Sequence, residues 1–189
     1  MKNLKSIAIA LVVALTTLTA TAQTKKIDVK KSTIAWVGKK VTGQHSGTIS
    51  FKDGALTFKG GKVAGGAFTV DMNSINCTDL KAGEGKEKLE GHLKADDFFG
   101  TDKYATATIK FTSVKEKSKG VYTVTADLTI KGKTAPVTFD LTAGKNAASA
   151  AFNIDRTKYD IKYGSKSFFE GLGDKVIYDE FEVSVKLVY

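Results

Sequence analysis

Along much of the chain, apolar and polar side chains alternate one for one, and that period leaves few folds open. Tyr122, Val124, Ala126, Leu128 and Ile130 are apolar, with Thr and Asp between them. Val137, Phe139 and Leu141 alternate with Thr138, Asp140 and Thr142. Ala148, Ala150, Phe152 and Ile154 repeat the pattern, and Phe181, Val183, Val185, Leu187 and Tyr189 carry it to the last residue. A period of two puts every second side chain on one face, so each run reads as a strand with one buried and one wet face, the mark of an antiparallel sheet.

Turn signals separate the runs: Lys52-Asp53-Gly54, Gly60-Gly61, Lys119-Gly120, Lys131-Gly132-Lys133 and Ala143-Gly144-Lys145-Asn146. Such pairs supply the positive φ that tight hairpins require. They predict about eight strands, near 32–40, 45–51, 55–59, 62–72, 104–116, 120–131, 134–143 and 148–157, and a ninth near 175–189. The second and third are short enough to act as one bent strand. Between Glu84 and Phe98 the alternation stops; Leu89 and Leu93 stand four apart among Lys and Glu, which predicts a short amphipathic helix. No linker or repeat divides the chain, so one domain is expected. The alternation alone fits a sandwich or a barrel; closure would pair the first strand with the last and remove exposed edges.

The first 22 residues read differently. Lys2 and Lys5 precede an apolar run over Ser6–Leu18, and Ala20-Thr21-Ala22 offers the small-x-small pattern of a signal-peptidase site. The apolar run is too short to span a bilayer. The expectation is an export signal over 1–22, cleaved near Ala22, and a barrel domain over 23–189.

Charge sets further limits. The net charge is +9, yet 28 of the 29 basic residues are Lys and Arg156 is the only Arg. Bidentate reading of phosphate and guanine favours Arg, and the lysines alternate with apolar residues along strands. That pattern describes a solvated exterior and argues against nucleic acid as a partner. Weak, transient attraction to an anionic membrane surface needs only positive charge. One Cys, Cys77, excludes an internal disulfide and a cysteine-built zinc site. It reads as a small buried hydrophobe.

Four segments in series are distinctive: Gly66–Ile75 (GAFTVDMNSI), Lys88–Phe99 (KLEGHLKADDFF), Tyr104–Phe111 (YATATIKF) and Leu128–Val137 (LTIKGKTAPV). In this order and spacing they resemble the YceI-like family of exported, lipid- or polyisoprenoid-binding proteins. The resemblance covers essentially the whole chain after residue 22. It departs at Ala105, where the family often has Pro after the Tyr, and it is looser from Phe152 through Asp155-Arg156 to the end. The resemblance implies a lipocalin-like antiparallel β-barrel of about eight strands with a helix near one end. It implies an elongated apolar cavity for a long-chain isoprenoid, a quinone or a fatty-acid derivative. It also implies a periplasmic location and admits a homodimer.

Alternate residues of every strand would line such a cavity. The candidates are Trp36, Phe51, Phe68, Val70, Phe111, Tyr122, Leu128, Phe152 and Phe181, with Leu93, Phe98 and Phe99 after the helix able to cap it or to staple the helix down. The same side chains would equally fill a dry core. His45, His92 and Arg156 are the candidates for a polar head group, and both His match the family pattern. His92 could instead bond Asp96, four residues on along the same helical face. A metal site from His45, His92 and a carboxylate would need long-range convergence, and no metal or cofactor is expected.

Catalytic signatures are missing from the sequence. Gly43-Gln44-His45-Ser46-Gly47 is not a nucleophile elbow, there is no phosphate loop or dinucleotide fingerprint, and Asp96-Asp97 would diverge by about 100° on a helix. The sequence therefore points to sequestration of a lipid without covalent chemistry. The competing readings are an enzyme acting on such a lipid, with His92 or His45 as general base, and a surface interaction module with a filled core.

Overall fold

A computed structural model describes residues 21–189; the export signal expected over 1–22 falls, except for its last two residues, outside them. Eight strands form a closed antiparallel barrel. They are β2 (Thr33–Lys40), β3 (Gly43–Lys59), β4 (Lys62–Cys77), β5 (Thr106–Ser118), β6 (Val121–Ile130), β7 (Lys133–Ala143), β8 (Ala147–Asp155) and β9 (Ile177–Val188). Each pairs with its successor, and β2 pairs with β9 to close the cylinder. A short β1 (Ala22–Lys26) adds to the outer half of β3 and brings the sheet to nine strands.

Most turns follow the sequence signals. Gly60-Gly61 and Lys131-Gly132 both have two consecutive positive φ values, 59° and 78° in the first and 50° and 69° in the second. That is the two-residue hairpin geometry whose twist matches its strands. The exception is Lys52-Asp53-Gly54, expected to be a turn and found inside β3, so the two short strands predicted there are one bent strand. Gly54 has another job. It lies opposite Phe68, and a Cβ on it would stand 2.3 Å from the Phe68 ring. Gly47 likewise lies opposite Trp36, where a Cβ would come within 2.4 Å of the indole. These glycines let large rings lie flat against the neighbouring strand.

One end of the barrel carries the β3–β4, β5–β6 and β7–β8 turns and is solidly packed. Leu56, Phe58, Val63, Tyr122, Val124, Ala126, Leu141 and Leu187 are buried there. Tyr189 packs on Phe58 at 5.6 Å, and Lys25 of β1 lies over both rings while donating to the Lys145 carbonyl. The other end carries the β2–β3 hairpin, the β4–β5 connection and the segment from β8 to β9. The helix α1 (Lys86–Lys94) belongs to this end and is shorter than the expected 84–98. It stops because Ala95 is extended (φ −66°, ψ 162°), after which Gly100 at φ 58° turns the chain back.

Candidate functional site

Because every second residue of a barrel strand faces inward, the interior is apolar along its whole length; what varies is how completely it is filled. Away from the packed end the inner faces leave a cavity of about 200 Å³. Trp36, Phe51, Phe68, Val70, Leu93, Phe98, Phe99, Phe111, Leu128, Phe152 and Phe181 line it. Tyr122, the remaining aromatic or aliphatic candidate, does not. It sits opposite Leu141 and Glu116 in the packed end.

The lining also includes aliphatic residues that a search weighted to aromatics passes over: Ile49, Ile109, Ile130, Ile154, Val183 and Val185. The period of two would have found them, since Ile109 stands two before Phe111 and Ile130 two after Leu128. Phe139 and Phe152 stack at 4.5 Å, nearly parallel, across the floor. The polar residues of the lining are few, namely Lys39, Arg156 and Tyr178, all toward the open end, and Lys39 carries its ammonium outward to Glu182.

The wall is interrupted at the β2–β9 seam. Gly38 pairs with Phe181 and Lys40 with Ile177, so two residues of β2 span four of β9. Gly38, Lys39, Ile177, Tyr178 and Phe181 border this break and line the cavity. A Cβ on Gly38 would meet nothing within 4 Å, and its alternation with Ile34 and Trp36 turns that open space inward. This irregular seam, with the open space beside Gly38, is the candidate mouth. Phe98 and Phe99 close over it from the β4–β5 connection, in edge-to-face contact with each other at 5.2 Å, and Phe99 meets Phe181 at 6.3 Å. Phe98 and Phe99 thus both cap the cavity and tie the helix segment to the barrel.

Arg156 sits beside this lid and is almost wholly buried. Nε donates to the Tyr178 carbonyl at 3.1 Å, Nη1 to that of Ile161 at 2.8 Å, and Nη2 to that of Ile177 at 3.0 Å. Asp179 lies 3.5 Å from Nη2, and the guanidinium stands 5.8 Å from the Phe98 ring centre. Burial pushes the guanidinium pKa down, opposed by Asp179 and Asp155. Burial works to raise the Asp179 carboxyl, but Ser165, Ser167 and Arg156 overcome it and hold it below its ordinary value. Arg156 is the brace that fixes the β8–β9 segment across the open end, and most of its donors are committed to that task.

The two histidines lie elsewhere, in a shallow cleft bordered by Lys40, Glu84, Leu89, Asp97 and Tyr163. His92 does not bond Asp96. With the helix ended at Lys94, Asp97 swings back to His92 Nε2 at 3.3 Å, while Asp96 pairs with Lys103 at 2.6 Å. The His92 ring also meets Tyr163 edge-on at 4.5 Å, joining α1 to the β8–β9 segment.

His45 Nδ1 is 2.9 Å from Asp79 Oδ2, and Asp79 Oδ1 accepts the Ser46 amide at 2.9 Å and the Cys77 thiol at 3.1 Å. The donor atoms of His45, Cys77 and Asp79 lie within 4.8 Å of one another, without His92. Their mutual hydrogen bonds fasten the start of β3 to the end of β4. Burial, reinforced by the Asp79 carboxylate, pushes the Cys77 thiol up. It is a buried, protonated thiol, as its sequence context suggested.

Burial works to raise Asp79, but the Ser46 amide, Cys77 and His45 hold its pKa at about 2 against an ordinary 3.8. A carboxylate with a depressed folded pKa stabilises above its unfolded value and loses that contribution as pH falls through the folded one. Asp79→Asn is therefore expected to lower the urea midpoint at neutral pH. It should also flatten the fall in stability between about pH 4 and about pH 2 relative to the unmodified protein. Urea titrations across that range check both.

The domain model of the YceI-like family matches residues 26–189. Among curated proteins, the chain is 38% identical over 86 residues to a UPF0312 protein of Shewanella denitrificans, covering 46% of this chain and 42% of that one. It is 36% identical over 94 residues to Protein YceI of Shigella flexneri, covering 50% and 46%. The matched segments thus span less than half the length of these relatives. Among solved structures, BcnA of Burkholderia cenocepacia superposes with a TM-score of 0.70 at 23% identity, over 86% of this chain and 99% of that one. A polyisoprenoid binding domain from Saccharophagus degradans, implicated in plant cell wall breakdown, superposes at 0.57 with 17% identity, over 86% and 95%. At these identities the likeness is one of fold.

Proposed function

The chain belongs to the YceI-like domain family, and from that premise we propose that it is an exported carrier. It takes a long-chain isoprenoid or similar amphiphile into the barrel and sequesters it without covalent chemistry. The observation that carries this reading is the cavity itself, apolar from floor to mouth and open at one seam, with its few polar groups gathered at the opening. A prenyl tail would lie against the Phe, Ile and Val side chains, with the polar end of the molecule at Tyr178. The fold it shares with a polyisoprenoid binding domain supports the same reading. The positions of His45 and His92 outside the cavity weigh against the enzymatic alternative.

Burying each CH₂ is worth about 0.8 kcal/mol, so even a partly enclosed chain has ample driving force. At about 30 Å³ for each, a cavity of 200 Å³ has room for about 7 water-sized groups. A longer chain must therefore widen the barrel or leave its remainder at the mouth.

The test is uptake of a fluorescent polyprenyl analogue by the folded protein, with Gly38→Phe as the comparison. Nothing lies within 4 Å of where a Cβ on Gly38 would stand, so a ring can be introduced at the mouth from this position. The unmodified protein is expected to bind the analogue, and Gly38→Phe to bind it at least tenfold more weakly with an unchanged melting temperature. Equal uptake by both would place the bound chain outside the barrel.

A further inference from the structure

We propose that His45, Cys77 and Asp79 form a binding site for one zinc ion at the open end of the barrel. Cys77 is the last residue of β4 and pairs with Gly47 on β3, two residues after His45. Asp79 follows two residues beyond Cys77. The Thr78 amide donates to the Ser46 carbonyl at 2.9 Å, which carries the pairing past the end of β4. Backbone pairing thus brings the three side chains together, and groups placed by paired strands are held more exactly than groups on loops.

The donor set is what points to zinc. A lone cysteine cannot build such a site, but a thiolate, an imidazole and a carboxylate are each zinc ligands. Sulfur beside nitrogen and oxygen favours zinc over magnesium or calcium, which take oxygen alone. Tetrahedral zinc, with bonds of about 2.0–2.3 Å, sets its ligand atoms about 3.5 Å apart. His45 Nδ1 and Asp79 Oδ2 are 2.9 Å apart, Cys77 Sγ and Asp79 Oδ1 are 3.1 Å apart, and the donor atoms all lie within 4.8 Å of one another. Opening the two short contacts by about half an ångström would admit the ion.

Charge, support and access agree with that reading. Asp79 is ionised at neutral pH. Binding would release one proton, from the Cys77 thiol to solvent, and the resulting thiolate and carboxylate would match the two charges of the ion. The ligands are held from outside as well: the Ser46 amide donates to Asp79, and the Cys77 amide donates to Glu90 Oε1 of α1 at 2.8 Å. Such outer partners orient metal ligands. Cys77 is fully buried, whereas His45 and Asp79 are each about a third exposed, at 30% and 31%, and His45 borders the shallow cleft. An ion can therefore approach from the cleft, and three protein ligands leave the fourth position to water. None of the three residues lines the apolar cavity, so the inference stands apart from the carrier reading.

The test uses the folded protein, purified under reducing conditions without a histidine tag and stripped of metal by a chelator. It is expected to take up one Zn²⁺ per chain in competition with a chromophoric zinc indicator, and to melt at a higher temperature once loaded. With Co²⁺ in place of zinc it should show a thiolate-to-cobalt charge-transfer band and the visible bands of tetrahedral cobalt. His45→Gln, at a partly exposed position, should keep the fold and weaken binding by about tenfold or more. Cys77→Ala should lose the charge-transfer band. That band in the unmodified protein reports sulfur ligation even if the Cys77 variant folds poorly. His92→Gln, in the same cleft, should bind as the unmodified protein does. Absence of uptake, uptake without the thiolate band, or uptake that His45→Gln leaves undiminished would overturn the proposal and make the three side chains a hydrogen-bonded clasp only.

Discussion

Arg156→Met is expected to cost the fold about 3–5 kcal/mol, the range for removing one member of a buried charged network. The guanidinium serves the carbonyls of Ile161, Ile177 and Tyr178 at once and faces Asp179. Methionine fills much of the same volume, so the loss reads out the polar contacts more than a cavity. Three carbonyls would lose their donor, and Asp179, whose Oδ1 already has no hydrogen-bond donor, would lose its nearest cation. Arg156→Lys is expected to recover only part of this, because a single ammonium cannot reach three divergent acceptors as the planar fork does. At about 2–4 °C per kcal/mol for a chain of this size, the Met variant should melt about 10 °C lower. Hydrogen exchange should rise first in the segment between β8 and β9. A Met variant as stable as the unmodified protein would mean that this segment is held by its apolar contacts alone.

Ile109→Asp should abolish uptake of an apolar chain while leaving a folded barrel. Ile109 is on β5 between Phe68 and Leu128, in the middle of the lining. A carboxylate there would have to be stripped of water whenever a chain entered, and an unpaired polar group in such surroundings costs several kcal/mol. Binding weaker by 100-fold or more follows. The empty barrel is expected to suffer less, since water admitted through the β2–β9 mouth can hydrate the new group. Ile109→Val keeps the apolar character and should bind nearly as well as the unmodified protein. Titration of the analogue against the three proteins, with thermal melts alongside, checks the order.

The elements legible in the sequence were those whose inner faces follow a strict alternation. β6, β7 and β9 could be read residue by residue, and their inner faces include cavity residues such as Leu128, Phe139, Phe181 and Val183. The features that escaped depend on contacts between strands. Gly54 looked like a turn because glycine there serves a ring on the next strand, which a linear reading does not register. β1 is short and exposed, with no alternation to mark it. The mouth exists because two residues of β2 face four of β9, a mismatch of register between segments some 140 positions apart in the chain. His92 found Asp97 and not Asp96 because the helix ended at Lys94, with Ala95 already extended. Arg156 stood out as the only Arg, but its acceptors are backbone carbonyls of Ile161 and of the first residues of β9, ahead of the alternation that begins at Phe181.

The most direct test of the carrier account is organic extraction of the folded protein, purified without detergent, followed by mass spectrometry of the extract. The account predicts an isoprenoid or acyl species in near-stoichiometric amount, and its absence from Gly38→Phe prepared in parallel. An empty protein that also refuses added polyprenols and fatty acids would contradict it.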